Sequence, residues 1–415
     1  MFVWLFSLFL PFVELLLILM KFLAYLVCYF LYPFSFLFPR SKKKWAFGSF
    51  RGAFNDNAKY LFIYTSEQKP EIHSAWLSIK RSTVREIRDK GLCAYWILNP
   101  KGLWFALTSK YWFFNAYSSD IMFCLSGGAT LVNLWHGLPM KRIEFGITSG
   151  PLADRFVKKT LKERYYHPET FQRPDYLLSA STFFTEIFAH SFRVSTDRCL
   201  TIGYPRNAVL TCSEKERLRF VEKYEPKQTA LLIEQLKESG YKKVFVYLPT
   251  WRDSQKELFV QSFDLKKMNS LLGEDHALLL LKPHVNMSVD EKLVDGLSNI
   301  MLLPSKMDVY PVLPYTDVLI TDYSSILYDY VLMENKGVIL YLYDYQDYTK
   351  ERNFTMPFDE LVIGERADTF EQLLDLMHAG GEWLDPVERH AFVKRCWGDR
   401  SQSASADIAG FFVHE

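Results

Sequence analysis

The chain has 415 residues, more than one hydrophobic core usually serves, so two domains are expected. Its 49 basic and 48 acidic side chains nearly cancel, which excludes the one-signed field of a nucleic-acid-binding domain. Six cysteines, Cys28, Cys93, Cys124, Cys199, Cys212 and Cys396, are scattered without a C-x-x-C pair or a histidine-rich neighbour, and they read as reduced residues of a cytosolic body rather than zinc ligands.

The chain opens on an apolar, aromatic stretch over residues 2–38, interrupted by Glu14, Lys21 and a few small polar residues. It is too long for the core of a signal peptide, lacks a basic lead-in and ends without a small-residue cleavage site. Residues 22–38 approach the roughly 20 apolar residues that cross a bilayer, and Pro11 divides them from an earlier apolar piece. A single span, a re-entrant hairpin and an interfacial helix all fit this pattern. Arg40, Lys42, Lys43 and Lys44 follow at once, and positive charge beside a membrane segment marks the cytoplasmic side. The expectation is an inner-membrane anchor over residues 1–44 with the body in the cytoplasm.

From about residue 45, short β-rich runs alternate with longer mixed stretches, the pattern of βα units building a parallel sheet. Candidate strands fall at residues 60–65, 93–98, 120–125, 131–135, 176–179 and 199–202. A second series falls at 244–248, 277–281, 300–303, 318–321 and 338–342. A polar, helix-prone segment over 213–243 separates the two series. The fold class expected is α/β, with two Rossmann-type doubly wound domains over residues 45–207 and 208–415 and a boundary near 203–211.

Open α/β sheets bind ligands beyond the carboxyl ends of their strands. The unusual residues cluster there: His136 after 131–135, Arg206 after 199–202, Thr250 and Arg252 after 244–248, His284 after 277–281, and Asp322, Ser324 and Ser325 after 318–321.

The segment over residues 319–330 reads as a buried strand turning into a helix that Asp322 or Ser324 can cap. A helix start leaves N–H groups free to receive a diphosphate, and Ser324 and Ser325 add hydroxyl donors; plain capping explains the same serines. The segment over 133–142 delivers His136 into a Gly- and Pro-containing turn followed by Lys141 and Arg142. A neutral imidazole can take a proton from an attacking hydroxyl, and the two cations can hold an anionic acceptor, although a lone histidine is often structural. Lys282 and His284 leave another strand together and suit developing negative charge, the alternative being a loop histidine beside a snorkelling lysine. Arg206 and Arg252 lie in tight turns where a guanidinium can fork onto phosphate oxygens. Arg252 also neighbours Asp253, with which it can form a structural ion pair that locks the loop.

Taken together, the run from Gly48 to Tyr60, Trp135-His136-Gly137, the run from Gly203 to Asn207, the run from Pro249 to Asp253, the run from Thr321 to Ser325, Tyr343-Asp344 and the run from Phe358 to Leu361 resemble the CDP-glycerol:polyglycerophosphate glycerophosphotransferase family of teichoic acid and capsule pathways. The resemblance implies a GT-B architecture, with an acceptor-binding first domain and a CDP-donor-binding second domain facing a cleft. It implies His136 as general base, with His284, Ser324 and Ser325 on the donor pyrophosphate. Lys282, Thr250, Arg206, Arg252 and Asp322 join the donor side, and Asn57, Lys141 and Arg142 the acceptor side. The partners implied are a CDP-polyol, a lipid-linked glycan acceptor and the membrane, with no cofactor and no obligatory metal. Leu138, Val285 and the tail from Trp397 to Arg400 depart from the family pattern, which bears on acceptor and polyol identity. A nucleotide-sugar glycosyltransferase of the same architecture and a non-enzymatic nucleotide-binding scaffold are the competing classes.

Overall fold

The computed structural model describes residues 2–250, 263–282, 291–351, 353–381, 383–398 and 404–415; of residues 2–12, 291, 293 and 351 the backbone alone is described. A helix over Phe2–Phe34 precedes the body. The first sheet holds β1 (Ser41–Phe47), β2 (His73–Ser78), β3 (Ala94–Trp96), β4 (Ser109–Phe114), β5 (Thr130–Asn133), β6 (Tyr176–Ser179) and β7 (Cys199–Thr201). The second holds β8 (Lys243–Tyr247), β9 (Ala277–Leu281), β10 (Ile300–Leu302), β11 (Val318–Thr321), β12 (Gly337–Tyr341) and β13 (Glu365–Ala367).

Strand order is β3-β2-β1-β4-β5-β6-β7 in one sheet and β10-β9-β8-β11-β12-β13 in the other, with every pairing parallel. Both sheets therefore start in the middle, run to one edge, return and run to the other, which is the doubly wound topology. Helices cover both faces, so strands such as β9, Ala-Leu-Leu-Leu-Leu, are buried along their whole length and carry no alternation. Stacked rings of Phe47 and Phe113, 5.0 Å apart, centre the first core.

Several sequence expectations are corrected. Residues 60–65 belong to the helix Asp56–Gln68, which is buried at Asn57, Ala58, Lys59, Tyr60, Leu61, Phe62, Ile63 and Thr65. A helix covered on nearly all sides loses the 3.6-residue periodicity that would reveal it, and its aromatic residues then mimic a strand. Residues 120–125 form two 3₁₀ turns, Ser118–Asp120 and Phe123–Leu125, while the strand lies upstream at β4. β1 begins inside the basic run that follows the apolar stretch, and Ser41-Lys42-Lys43-Lys44 at its start carry no strand signal. Arg40 does not face lipid: its guanidinium donates to the carbonyls of Ala106 (2.9 Å), Ser109 (2.8 Å), Leu125 (2.7 Å) and Gly127 (2.9 Å).

The end of the chain crosses back between the lobes. The helix Ala404–His414 returns to the first sheet, where Phe412 packs edge-on against Phe113 (5.3 Å) and Tyr176 (5.3 Å). The preceding helix, Pro386–Trp397, is tied to the second lobe by Trp397 Nε1 donating to Tyr328 O at 2.7 Å, and its Trp397 ring meets Tyr204 of the first.

Candidate active site

In each sheet the chain reverses its winding beside the first strand, between β1 and β4 and between β8 and β11, and a crevice opens at such a switch point. Gly48 and Asn115 leave the first pair of strands; the loop at Thr250 and the turn at Asp322 leave the second. Sequence elements separated by more than 100 residues are thereby aimed at one place.

His136 lies on a turn after β5 whose backbone is forced. Trp135 has φ +52°, in the left-handed region, at a cost on the order of 1–3 kcal/mol. Three hydrogen bonds hold it there: Trp135 N donates to Asn133 Oδ1 at 2.8 Å, Asn57 Nδ2 to Trp135 O at 2.9 Å, and Arg206 Nη1 to His136 O at 2.8 Å. The imidazole Nδ1 lies 3.2 Å from Asn115 O. A carbonyl can only accept, so this bond places the proton on Nδ1 and leaves the Nε2 lone pair free. The ring rests on Trp135 at 4.2 Å and keeps solvent access although protein atoms crowd round it, the situation of a group on a cleft floor. Burial pushes its pKa below the usual histidine value; Asp56 opposes that shift and Arg206 adds to it. The imidazole is therefore neutral near pH 7 and able to accept a proton.

Arg206 has other work than clamping a phosphate. It is buried, and its guanidinium donates through Nη1 to Asp56 Oδ1 (2.6 Å) and through Nη2 to Asp329 Oδ2 (2.8 Å) of the second lobe. Tyr310 also donates to Asp329 Oδ2 at 2.8 Å, and its ring lies 4.8 Å from the guanidinium. Asn57, expected on the acceptor side, is likewise buried and spent on the backbone of Trp135 and Arg206. Both residues hold the His136 turn.

In the second lobe Asp322 is fully buried and receives Thr250 N at 2.9 Å and Tyr323 N at 2.6 Å. It fixes the Thr250 loop; a buried carboxylate there is a poor partner for phosphate. The helical turn after the serines, Ile326–Tyr330, has five residues and no side-chain cap, with Ser324 Oγ only 3.5 Å from Ile326 N. That is too short for a macrodipole of consequence. What the turn offers is hydroxyls: among the described residues neither the Ser324 nor the Ser325 hydroxyl donates to a protein acceptor. Lys282 donates to Ser305 O at 3.2 Å, and burial holds its pKa below the usual ammonium value, with Asp308 opposing. His284 and Arg252, with its neighbour Asp253, lie outside the described residues.

The lobes meet at this point. A Cβ placed on Gly137 would fall inside van der Waals contact of the Ser325 hydroxyl, so glycine after His136 lets the serine turn approach closely. Beside it, the chain from Pro139 to Arg142 forms a backbone bridge to residues 353–355: Lys141 pairs antiparallel with Phe354, Arg142 N donates to Asn353 O at 2.8 Å, and Thr355 N to Met140 O at 3.0 Å. Lys141 Nζ lies 5.6 Å from the ring of Tyr348, which stacks at 3.9 Å on Tyr323 of the serine turn. Arg142 is exposed, with Nε 3.4 Å from Phe354 O. Among the described residues no group of three or more His, Cys, Asp or Glu is placed to hold a metal ion.

A family model described as CDP-glycerol:poly(glycerophosphate) glycerophosphotransferase matches residues 30–400. The chain belongs to this family. It is 27% identical over 414 residues to the teichoic acid poly(glycerol phosphate) polymerase of Bacillus spizizenii, covering 95% of this chain and 99% of that one. It is also 27% identical over 342 residues to the teichoic acid glycerol-phosphate transferase of Staphylococcus aureus, covering 80% and 82%. Among solved structures, the wall teichoic acid polymerase TagF superposes with a TM-score of 0.71 at 26% identity, covering 90% of this chain and 89% of that one. The architecture of this transferase is accordingly GT-B-like, an apolar N-terminal helix preceding two doubly wound lobes.

Asp56, Asn115 and Asp329 were not singled out in the sequence. Asp56 sat inside the run from Gly48 to Tyr60 and carried a usable signal beside Asn57, but Asn115 acts through a main-chain carbonyl, which no residue type announces.

Proposed function

We propose that the chain transfers glycerol phosphate from CDP-glycerol to a hydroxyl of a lipid-linked teichoic acid-type precursor, releasing CMP. The observation that carries this reading is the contact of the His136-Gly137 turn with Ser325, which sets a proton acceptor against a pair of hydroxyl donors across the lobe junction. The acceptor hydroxyl attacks the β-phosphorus in line as its proton passes to His136 Nε2. A new P–O bond forms and the bond to the CMP oxygen breaks. Ser324, Ser325 and Lys282 offset charge on the departing phosphate, with His284 and Arg252 assigned to the same side on the family resemblance. Lys141 and Arg142 face the acceptor. Catalysis of this kind is chiefly positioning and electrostatics, which suits a site whose base is held by three backbone hydrogen bonds.

The N-terminal helix supports membrane attachment, and a body on the cytoplasmic side rests on the family resemblance, whose acceptors are lipid-linked glycans of that leaflet. Val13–Leu37 is long and apolar enough to cross a membrane, and a lipid-linked acceptor in the same plane gains effective concentration from the anchor. The test is to incubate the protein with acceptor and a panel of CDP-glycerol, CDP-ribitol and nucleotide sugars. CMP release from CDP-glycerol, with a new phosphodiester in the ³¹P spectrum, is the expected result. Release of a nucleoside diphosphate from a nucleotide sugar would replace this reading with glycosyl transfer.

A further inference from the structure

The N-terminal helix has two unlike halves. Its only charged residues are Glu14 and Lys21, and it is apolar from residue 2 to residue 34, so hydropathy admits a span in more than one register, Val13–Leu37 among them. Packing decides between them. From Phe22 onward one face of the helix is occupied by the body. The Phe22 ring stacks on Tyr165 at 5.1 Å, and Tyr165 OH donates to Phe22 O at 2.7 Å. Tyr25 meets Tyr166 edge-on at 5.5 Å, Tyr29 OH donates to Arg164 O at 2.8 Å, and Tyr32 stacks on Phe123 at 4.8 Å.

The base of the helix is fastened as firmly. Gly127 N donates to Ser35 Oγ at 2.9 Å, and a Cβ at Gly127 would collide with Ser35 and Phe36. The Arg40 guanidinium ties the next residues to four carbonyls of the first lobe. Residues 22–37 are thus a rigid strut, and the body segment whose Arg164, Tyr165 and Tyr166 touch it exposes Lys158, Lys159, Lys162 and Arg164, Lys158 being paired with Asp154 at 2.8 Å. Sinking the strut into hydrocarbon would carry those four cations with it. Above the strut, residues 13–20 are exposed on every side.

We propose that the headgroup plane of the bilayer crosses this helix at Lys21–Tyr25, so that residues 2–20 make the span and residues 22–34 stand outside the hydrocarbon as a spacer. This rests on the reading that the helix enters a membrane. Residues 2–20 give about 28 Å of helix at 1.5 Å per residue, against the roughly 30 Å hydrocarbon thickness. Lys21 Nζ, 5.1 Å from the Tyr166 ring, and the tyrosines at 25, 29, 165 and 166 form the aromatic, basic belt expected at an interface. The chemistry of the partner follows: anionic phospholipid headgroups facing Lys158, Lys159, Lys162 and Arg164, with Leu161, 86% exposed among them, reaching the acyl boundary. Glu14 is the one charged residue the span takes in. The strut holds the catalytic cleft at a fixed height above the lipid plane.

The test uses the full chain in vesicles of phosphatidylcholine and phosphatidylglycerol. A bimane label is placed by Leu17→Cys or Phe30→Cys, both at exposed positions, in a Cys28→Ser, Cys93→Ser, Cys212→Ser background. The expected result is loss of label-17 fluorescence to lipids carrying a nitroxide deep in the acyl chain, with protection from aqueous iodide, and the reverse for label 30. Deep quenching of label 30 equal to that of label 17 would overturn the register. Iodide access at both positions would overturn insertion altogether while leaving the transfer reaction untouched, since no turnover is measured.

Discussion

Two buried cations each bridge a pair of carboxylates between the lobes, and they keep different company. Arg206 joins Asp56 of the first lobe to Asp329 of the second and also holds the carbonyl of His136. Lys59 joins Glu225 to Asp308, with Tyr60 OH 3.0 Å from Asp308, and touches nothing of the His136 turn. One ammonium cannot hold two buried carboxylates equally: burial pushes Glu225 up to about 7, while Lys59 keeps Asp308 below its usual value in spite of burial. The difference teaches that the same device, a buried ion triad at a lobe junction, is structural at Lys59 and coupled to the chemistry at Arg206. Whether the lobes are packed and whether the base is in place are one question at Arg206 and two at Lys59.

Removing either cation tests this with the largest effect. Arg206→Ala and Lys59→Ala each leave one buried carboxylate and one partly exposed carboxylate without their counter-ion, which costs up to about 3–5 kcal/mol, read as a fall in the urea midpoint. Turnover per folded molecule should drop in Arg206→Ala and stay near normal in Lys59→Ala; equal loss in both would erase the distinction. Next in size is Gly137→Ala. The added methyl meets Ser325, so overpacking of about 1–3 kcal/mol is expected in the thermal midpoint, relieved by Ser325→Gly in the same chain. A neutral Gly137→Ala would show that the lobes do not press together there.

The smallest effect is a shift in pH dependence. Asp56 favours the imidazolium of His136, so Asp56→Asn should lower the histidine pKa further. A base works deprotonated, and the acid limb of kcat/KM should therefore move to lower pH. A limb that stays or moves upward would break the electrostatic link between the Arg206 triad and the base.

The second sheet was largely legible in the sequence and the first only in part. Runs such as Ala277–Leu281 and Val318–Thr321 are short, apolar and bounded by polar segments, so their limits read directly. In the first lobe, β1 opens Ser41-Lys42-Lys43-Lys44, and two of these ammonium groups are spent on the protein, Lys44 on Thr108 Oγ1 at 2.9 Å and Lys42 on Glu415 O at 2.7 Å. The helix at Asp56–Gln68 is wrapped by its neighbours and lost its periodicity. His136, Ser324 and Ser325 stand out in the sequence because each lies in a turn just after a strand, and the structure places them there. The protein partners of Arg206, Asn57 and Asp322 do not, because a guanidinium, an amide or a carboxylate in a turn looks the same whether it faces a ligand or a strained stretch of backbone. Only the long-range partners, Asp329 for Arg206 and Thr250 for Asp322, separate the two.

The most direct measurement is the turnover of His136→Ala with CDP-glycerol and acceptor, followed as CMP release, beside its unfolding midpoint. Among the described residues the imidazole bonds the body through Asn115 O alone, so the variant should fold normally and lose on the order of 10² to 10⁴ in rate. A folded variant that turns over at nearly the wild-type rate would contradict the assignment of His136 as the base and, with it, the reading of the lobe junction as the active site.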